Sequence, residues 1–139
     1  MNLGDVMTEV ETALKTVTNL RVYGWSAKAI APPAAIVTLP ENVLFHQSYG
    51  VGSSKLDDLI VLLMVSRATN RTAVKDLMPY VAETGAKSVK AVLEGWTPAA
   101  GVWDILTVLS VEFDAVSYAG TPYLAAMFHT EITGKGAVP

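Results

Sequence analysis

Apolar residues recur every third or fourth position at the start of the chain. Leu3, Val6, Met7, Val10, Leu14 and Val17 share one side of a helical wheel, while Asp5, Glu9, Glu11, Thr12 and Lys15 fall elsewhere. Residues 3–17 are therefore expected to form an amphipathic helix, with Asn19 as its stop. The period then shortens to two. "LRVYGW", residues 20–25, alternates and is rich in β-branched and aromatic side chains, which predicts a strand. Pro32 and Pro33 hold the chain extended and remove two donors, which suits entry into an edge strand over 34–39. A short strand at 43–47 and a glycine-serine loop at 48–58 lead into a strand at 59–67. That strand puts Leu59, Val61, Leu63 and Val65 on one face and Ile60, Leu62 and Met64 on the other, so both faces call for cover.

Beyond it the helical period returns. Asn70 is the expected N-cap of a helix whose stripe is Val74, Leu77, Met78 and Val81, kinked or shortened by Pro79 and closed by Gly85 at the C′ position. Residues 86–95 read as one more short helix ended by Gly95. In "DILTVLSVEFD" the odd positions Ile105, Leu109, Val111 and Phe113 are expected inward, Thr107 being the exception, with Ser110, Glu112 and Asp114 outward. A turn around Gly120 returns the chain as "YLAAMFHTEIT", with Leu124, Phe128 and Ile132 on one face and His129 and Glu131 on the other. The two strands make a hairpin. Helix, strands, two helices, strands, with no repeating βαβ unit, is the order of an α+β fold: a mostly antiparallel sheet with the N-terminal helix and a central helix pair on one face. Its 139 residues suit a single domain, 1–139.

Composition sharpens this. Hydrophobic residues make up 51% of the chain and charged ones 17%, below the roughly 25% of an average soluble domain; mean hydropathy is +0.37. Some apolar surface is expected to find no place inside a monomer. The formal net charge of −3, with lysines and arginines scattered, argues against a nucleic-acid binder held by phosphate neutralisation. The absence of cysteine excludes disulfides, zinc-thiolate sites and cysteine nucleophiles. The longest apolar run, 59–65, is far short of the ~20 residues of a membrane helix, and the N-terminus lacks the basic and apolar blocks of a secretory signal.

Candidate chemistry is sparse. "YGVGSSK", that is Tyr49, Gly50, Val51, Gly52, Ser53, Ser54 and Lys55, resembles a phosphate loop in composition, but Lys55 is followed by Leu56 and a strand, where such a loop needs a helix N-terminus. It is expected to be a hairpin tip. Ser53 and Ser54 lack the Gly-x-Ser-x-Gly elbow of a serine hydrolase. Asp57 and Asp58, if extended, point to opposite faces and do not form a carboxylate pair unless the strand bulges; they read better as charges that guard an apolar strand. His46 and His129 both fall in expected strands, and a metal or catalytic role would need several acids brought to one of them by the fold. Trp25, Trp96 and Trp103 lack the basic groove of a single-strand stacking platform. "GWTPAAGVW" looks like a loop pinned by Trp96 and Trp103, at an interface or at the rim of the core. No metal, cofactor or catalytic residue is expected.

Several segments taken together, "LRVYGWSAKAIAPPAAIVTLP", "FHQSYGVGSSKLDDLIVLLMVSRATNRTAVKDLMPYVAETGAKSVKAVLEG" and "YLAAMFHTEI", resemble the tail terminator proteins of long-tailed phages that infect actinobacteria. The resemblance spans nearly the whole chain and rests on the order and texture of its elements. It implies a structural virion protein, not an enzyme: an α+β subunit of a hexameric ring at the tail-neck junction, assembled in the host cytoplasm. Such a ring stops polymerisation of the tail tube and joins the tail to the head connector. Its implied partners are copies of itself, the major tail tube protein and a head-tail connector or head-closure protein, with genomic DNA passing through the lumen unbound and no membrane involved. Within that frame, the segment from Tyr49 to Lys55 is expected to reach the tube or an adjacent ring. Pro32, Pro33, Ile60, Met64, Trp96 and Trp103 are expected near the subunit boundary. Another neck protein of the same virion, a head-closure or adaptor protein, is the nearest alternative, followed by a small-molecule binding domain with a ligand-shaped cavity.

Overall fold

The computed structural model describes residues 2–17, 19–24, 30–45, 53–67, 71–99, 101–118 and 120–135. Five strands form one sheet in the order β1-β2-β3-β5-β4, with β1 (Arg21–Tyr23), β2 (Ala34–Phe45), β3 (Ser53–Arg67), β4 (Ile105–Tyr118) and β5 (Thr121–Lys135). Only the β1–β2 pair is parallel; the other three ladders are antiparallel. Three helices, α1 (Leu3–Leu14), α2 (Ala73–Val81) and α3 (Val89–Glu94), complete an α+β fold with an N-terminal helix.

The helical stripe read at the N-terminus is the buried side of α1, where Val6, Val10, Ala13 and Leu14 are fully covered. Asn2 caps it by accepting from the Asp5 amide at 3.1 Å, and Asn19 occupies the turn beyond it at φ 62, a conformation asparagine tolerates. The main core lies between the helices and one sheet face, around Leu59, Val61, Leu63, Phe128 and Ile132. A smaller cluster on the opposite face joins Ile36, Met64, Tyr123 and Ala125.

Several sequence expectations change in the folded chain. The strands expected at 34–39 and 43–47 are one strand, β2, kept continuous by a register shift between Val37 and Pro40. Its first residues are not at an edge, because Arg21, Val22 and Tyr23 of β1 pair with Ala34, Ala35 and Ile36. Ser53 to Asp58, expected in a loop, belong to β3: β2 and β3 pair as far as Phe45 opposite Ser54, so residues 46–52 connect them. Thr72 stands at the N-cap of α2, whereas Asn70 lies outside the described residues. Gly85 does not close α2, which ends at Val81 with Ala82 as its extended C-cap; its φ of +112 serves the turn into α3 instead. Ser88 caps α3, accepting from the Ala91 amide at 3.1 Å.

The largest correction concerns β4. Leu106 and Val108, not the odd positions, are buried at its start, while Ile105 and Leu109 are 62% and 59% exposed. A register shift between Val108 and Ser110 then inverts the parity, so Val111 packs on the core and Phe113 lies beside α2, still 53% exposed. A one-residue bulge moves every later side chain to the other face. An alternation counted straight through 105–113 is therefore wrong over its first half.

Candidate functional site: the open sheet face and its edges

The helices cover one face of the sheet; the other carries no helix among the described residues. Its lower half is apolar. Thr38, Leu39, Ile60, Leu62, Val116 and Met127 line an open cleft of about 440 Å³, and Leu39 stands 53% exposed at its rim. These residues come from β2, β3, β4 and β5, so the cleft is a property of strand order rather than of any one segment.

The other half is charged. Between Leu56 and Leu59 the ladder slips by one residue, with Asp58 at φ 56. This is the bulge that two adjacent aspartates needed to escape simple alternation. It turns the Asp58 carboxylate onto Nδ1 of His129, in the middle of β5. On the far side Nε2 of His129 lies 3.2 Å from Glu112 Oε1 of β4, without the alignment of a hydrogen bond. Lys55 and Glu131 add an ion pair at 3.1 Å between β3 and β5. The fold thus brings two acids to His129, which spacing along the chain did not foretell. The only advance signal was the Asp57-Asp58 pair ahead of an apolar strand. Among the described residues no group of three His, Cys, Asp or Glu could hold a metal ion, and the imidazole bridges three neighbouring strands on a flat surface.

On the helix side two further clefts flank α2. Val74, Leu77, Met78, Phe113 and Leu124 line an apolar one toward β4, with Val74 and Met78 61% and 44% exposed. Toward β1 and β2, a cleft of about 400 Å³ is lined by residues that include Asn19, Pro33, Lys75, Pro79, Tyr80 and Lys87. Burial, and then the neighbouring Asp76 carboxylate, push the Tyr80 phenol above its ordinary pKa. Lys87 Nζ sits 5.7 Å from the centre of that ring, a cation-π distance.

The residues singled out in the sequence are dispersed. Tyr49, Gly50, Val51 and Gly52 lie outside the described residues, as do His46 and Trp25. Ser54 is buried in β3 and Lys55 is engaged with Glu131. Pro32 and Pro33 are half-buried ahead of β2, and Ile60 is half-buried in the open-face cleft. Met64 is fully buried and Trp103 nearly so, each within the chain's own core. Trp96 is half-buried and its Nε1 donates to Glu9 Oε1 at 2.9 Å, which also accepts from the Ala99 amide at 3.3 Å. The loop after α3 is therefore pinned to α1, as its tryptophans suggested, by a carboxylate that the sequence did not single out. No protein-family model matches this chain, and no curated protein matches it.

Proposed function

We propose that this chain is a structural virion protein, a tail terminator that assembles as a homo-hexameric ring on the head-proximal end of a phage tail tube, halts its polymerisation and joins it to the head connector. The supporting observation is the distribution of exposed apolar side chains. Leu39, Ile105, Leu109 and Phe113 are each more than half exposed, and they lie along both margins of a sheet whose second face has no covering layer among the described residues. A subunit that completes its surface against ring neighbours and a tube accounts for that pattern, because exposed apolar side chains gain free energy when a partner removes them from water. The resemblance in element order and texture supplies the identity of the assembly.

This reading assigns the chain no catalysis. Asp58, His129 and Glu112 act in it as a tie between strands, since their arrangement forms no cleft in which a substrate is enclosed. A head-closure or adaptor role in the same neck would use the same surfaces, and particle position separates the two. The test is the mass of the purified protein by light scattering over a concentration series, with negative-stain images with and without tail tubes. A ring near six times 14.8 kDa, alone or formed on added tubes, is expected at the tube end. A compact monomer indifferent to tubes would refute the proposal. Deleting Val51 and Gly52, which leaves β3 intact, should spare folding and abolish capping.

A further inference from the structure

Charge is segregated along this chain. Residues 91–134 contain five acids, Glu94, Asp104, Glu112, Asp114 and Glu131, and no lysine or arginine. The basic residues are scattered only through the first ninety positions and Lys135. The fold turns this division into a spatial one. β4, with Glu112 and Asp114, forms one edge of the sheet. The cleft holding Lys75 and Lys87 lies across α2 from that edge, beside the residues that lead into β1 and β2.

We propose that the Phe113 end of β4 in one copy seats in the cleft lined by Lys75, Lys87 and Tyr80 of the next copy. The contact rests on the ring reading above and names the surfaces by which the ring closes. On the donating side Phe113 is 53% exposed on the helix side of β4, with the exposed Glu112 and Asp114 next to it along the chain and on the other face, and the outer ladder of this strand has no partner among the described residues. A long unpaired edge with apolar side chains invites another chain. On the receiving side the exposed Pro79 offers apolar cover for a ring, with the buried Tyr80 behind it, and Lys75 forms no ion pair among the described residues. Lys87 is already held over Tyr80. Asp76, the one acid in the cleft, accepts from the Thr72 hydroxyl at 3.0 Å.

Complementary charges on one chain favour a second copy over an unrelated partner. Donor and acceptor flank α2 on its two sides and do not meet within one subunit. A contact between different surfaces of identical subunits is heterologous, and it closes into a ring when its rotation divides the circle. The exposed charge pairs make the contact sensitive to salt.

The test is charge reversal and its rescue, read as solution mass, with circular dichroism to confirm folding. The wild type is expected to form the oligomer, alone or on tubes; Asp114→Lys and Lys75→Glu should each raise the midpoint concentration for assembly at least tenfold, and the double variant should restore most of the loss. Phe113→Ser should weaken assembly without rescue by Lys75→Glu. Normal assembly of Asp114→Lys, a double variant no better than either single one, or a wild type monomeric under all conditions would overturn the contact. Assembly insensitive to Asp114→Lys, with Lys75→Glu abolishing stabilisation by inorganic phosphate, would give the cleft to a small anion. Capping is measured separately. An oligomer broken and restored as described that fails to cap tubes would keep this contact and refute the terminator reading, whereas capping by an oligomer indifferent to both reversals would do the reverse.

Discussion

Neighbouring residues of β3 have opposite fates on the two sheet faces. Leu59, Val61 and Leu63 are fully buried beneath the helices, while Ile60 and Leu62, each one position along, remain half-exposed on the open side. The residue types are the same; the difference is what lies above them. On the helix side α1, α2 and α3 supply an apolar roof over these residues. On the open side, among the described residues, cover is gathered where Tyr123, Ile36 and Ala125 surround Met64. Folding free energy is concentrated on the first face.

The strongest test of this division sets Phe128→Ala against Ile60→Ala. Phe128 is fully buried at the centre of the covered face, and its truncation should cost ~3–5 kcal/mol in urea unfolding. Ile60→Ala should cost ~1 kcal/mol or less at its half-exposed site, and Ile60→Lys should impair assembly more than folding; equal loss of both would make the open face ordinary core. Met64 separates face from cover. It points to the open side yet is fully buried, so Met64→Ala should cost ~2–5 kcal/mol, and a loss below 1 kcal/mol would show that the Tyr123 cluster contributes little.

Smaller effects are expected in the polar half. Asp58→Ala removes the carboxylate that holds His129 across the bulge, with an expected loss of ~1 kcal/mol. A shift of the same size in His129→Ala and in the double variant would identify the pair as one unit. On the helix side, the hydrogen bond from Lys90, helped by the Val108 amide at 2.9 Å and opposed by partial desolvation, holds the Glu94 carboxyl below its ordinary pKa of 4.5. A carboxylate depressed in the folded state contributes stability that is complete above its unfolded pKa and is lost as pH falls from about 4.5 through the lower folded value. Glu94→Gln should therefore lower the urea midpoint at pH 7 by only ~0.5 kcal/mol equivalent, given its exposure, and the gap should shrink at pH 3.

What the sequence determined by itself is what local periodicity controls. The buried stripe of α1, the two-sided β3 and the closing hairpin with Phe128 and Ile132 inside follow from spacing, because in those stretches backbone geometry alone fixes which side chains share a face; the stripe read for α2 does not, since α2 buries Ala73, Leu77 and Tyr80 while Val74 and Met78 stay exposed. The class, α+β with helices on one face, follows from the order of the elements. Tertiary structure decided the rest. The bulges at Val37, Asp58 and Leu109 are set by pairing with a distant strand, and each inverts the alternation beyond it, which is why Leu106 and Val108 rather than Ile105 face the core. The same pairing brings Asp58 of β3 and Glu112 of β4 to His129 of β5, and α2 separates the acidic edge of β4 from the cleft that holds Lys75 and Lys87. Contacts between residues dozens of positions apart leave no period in the chain, so only the folded sheet discloses them.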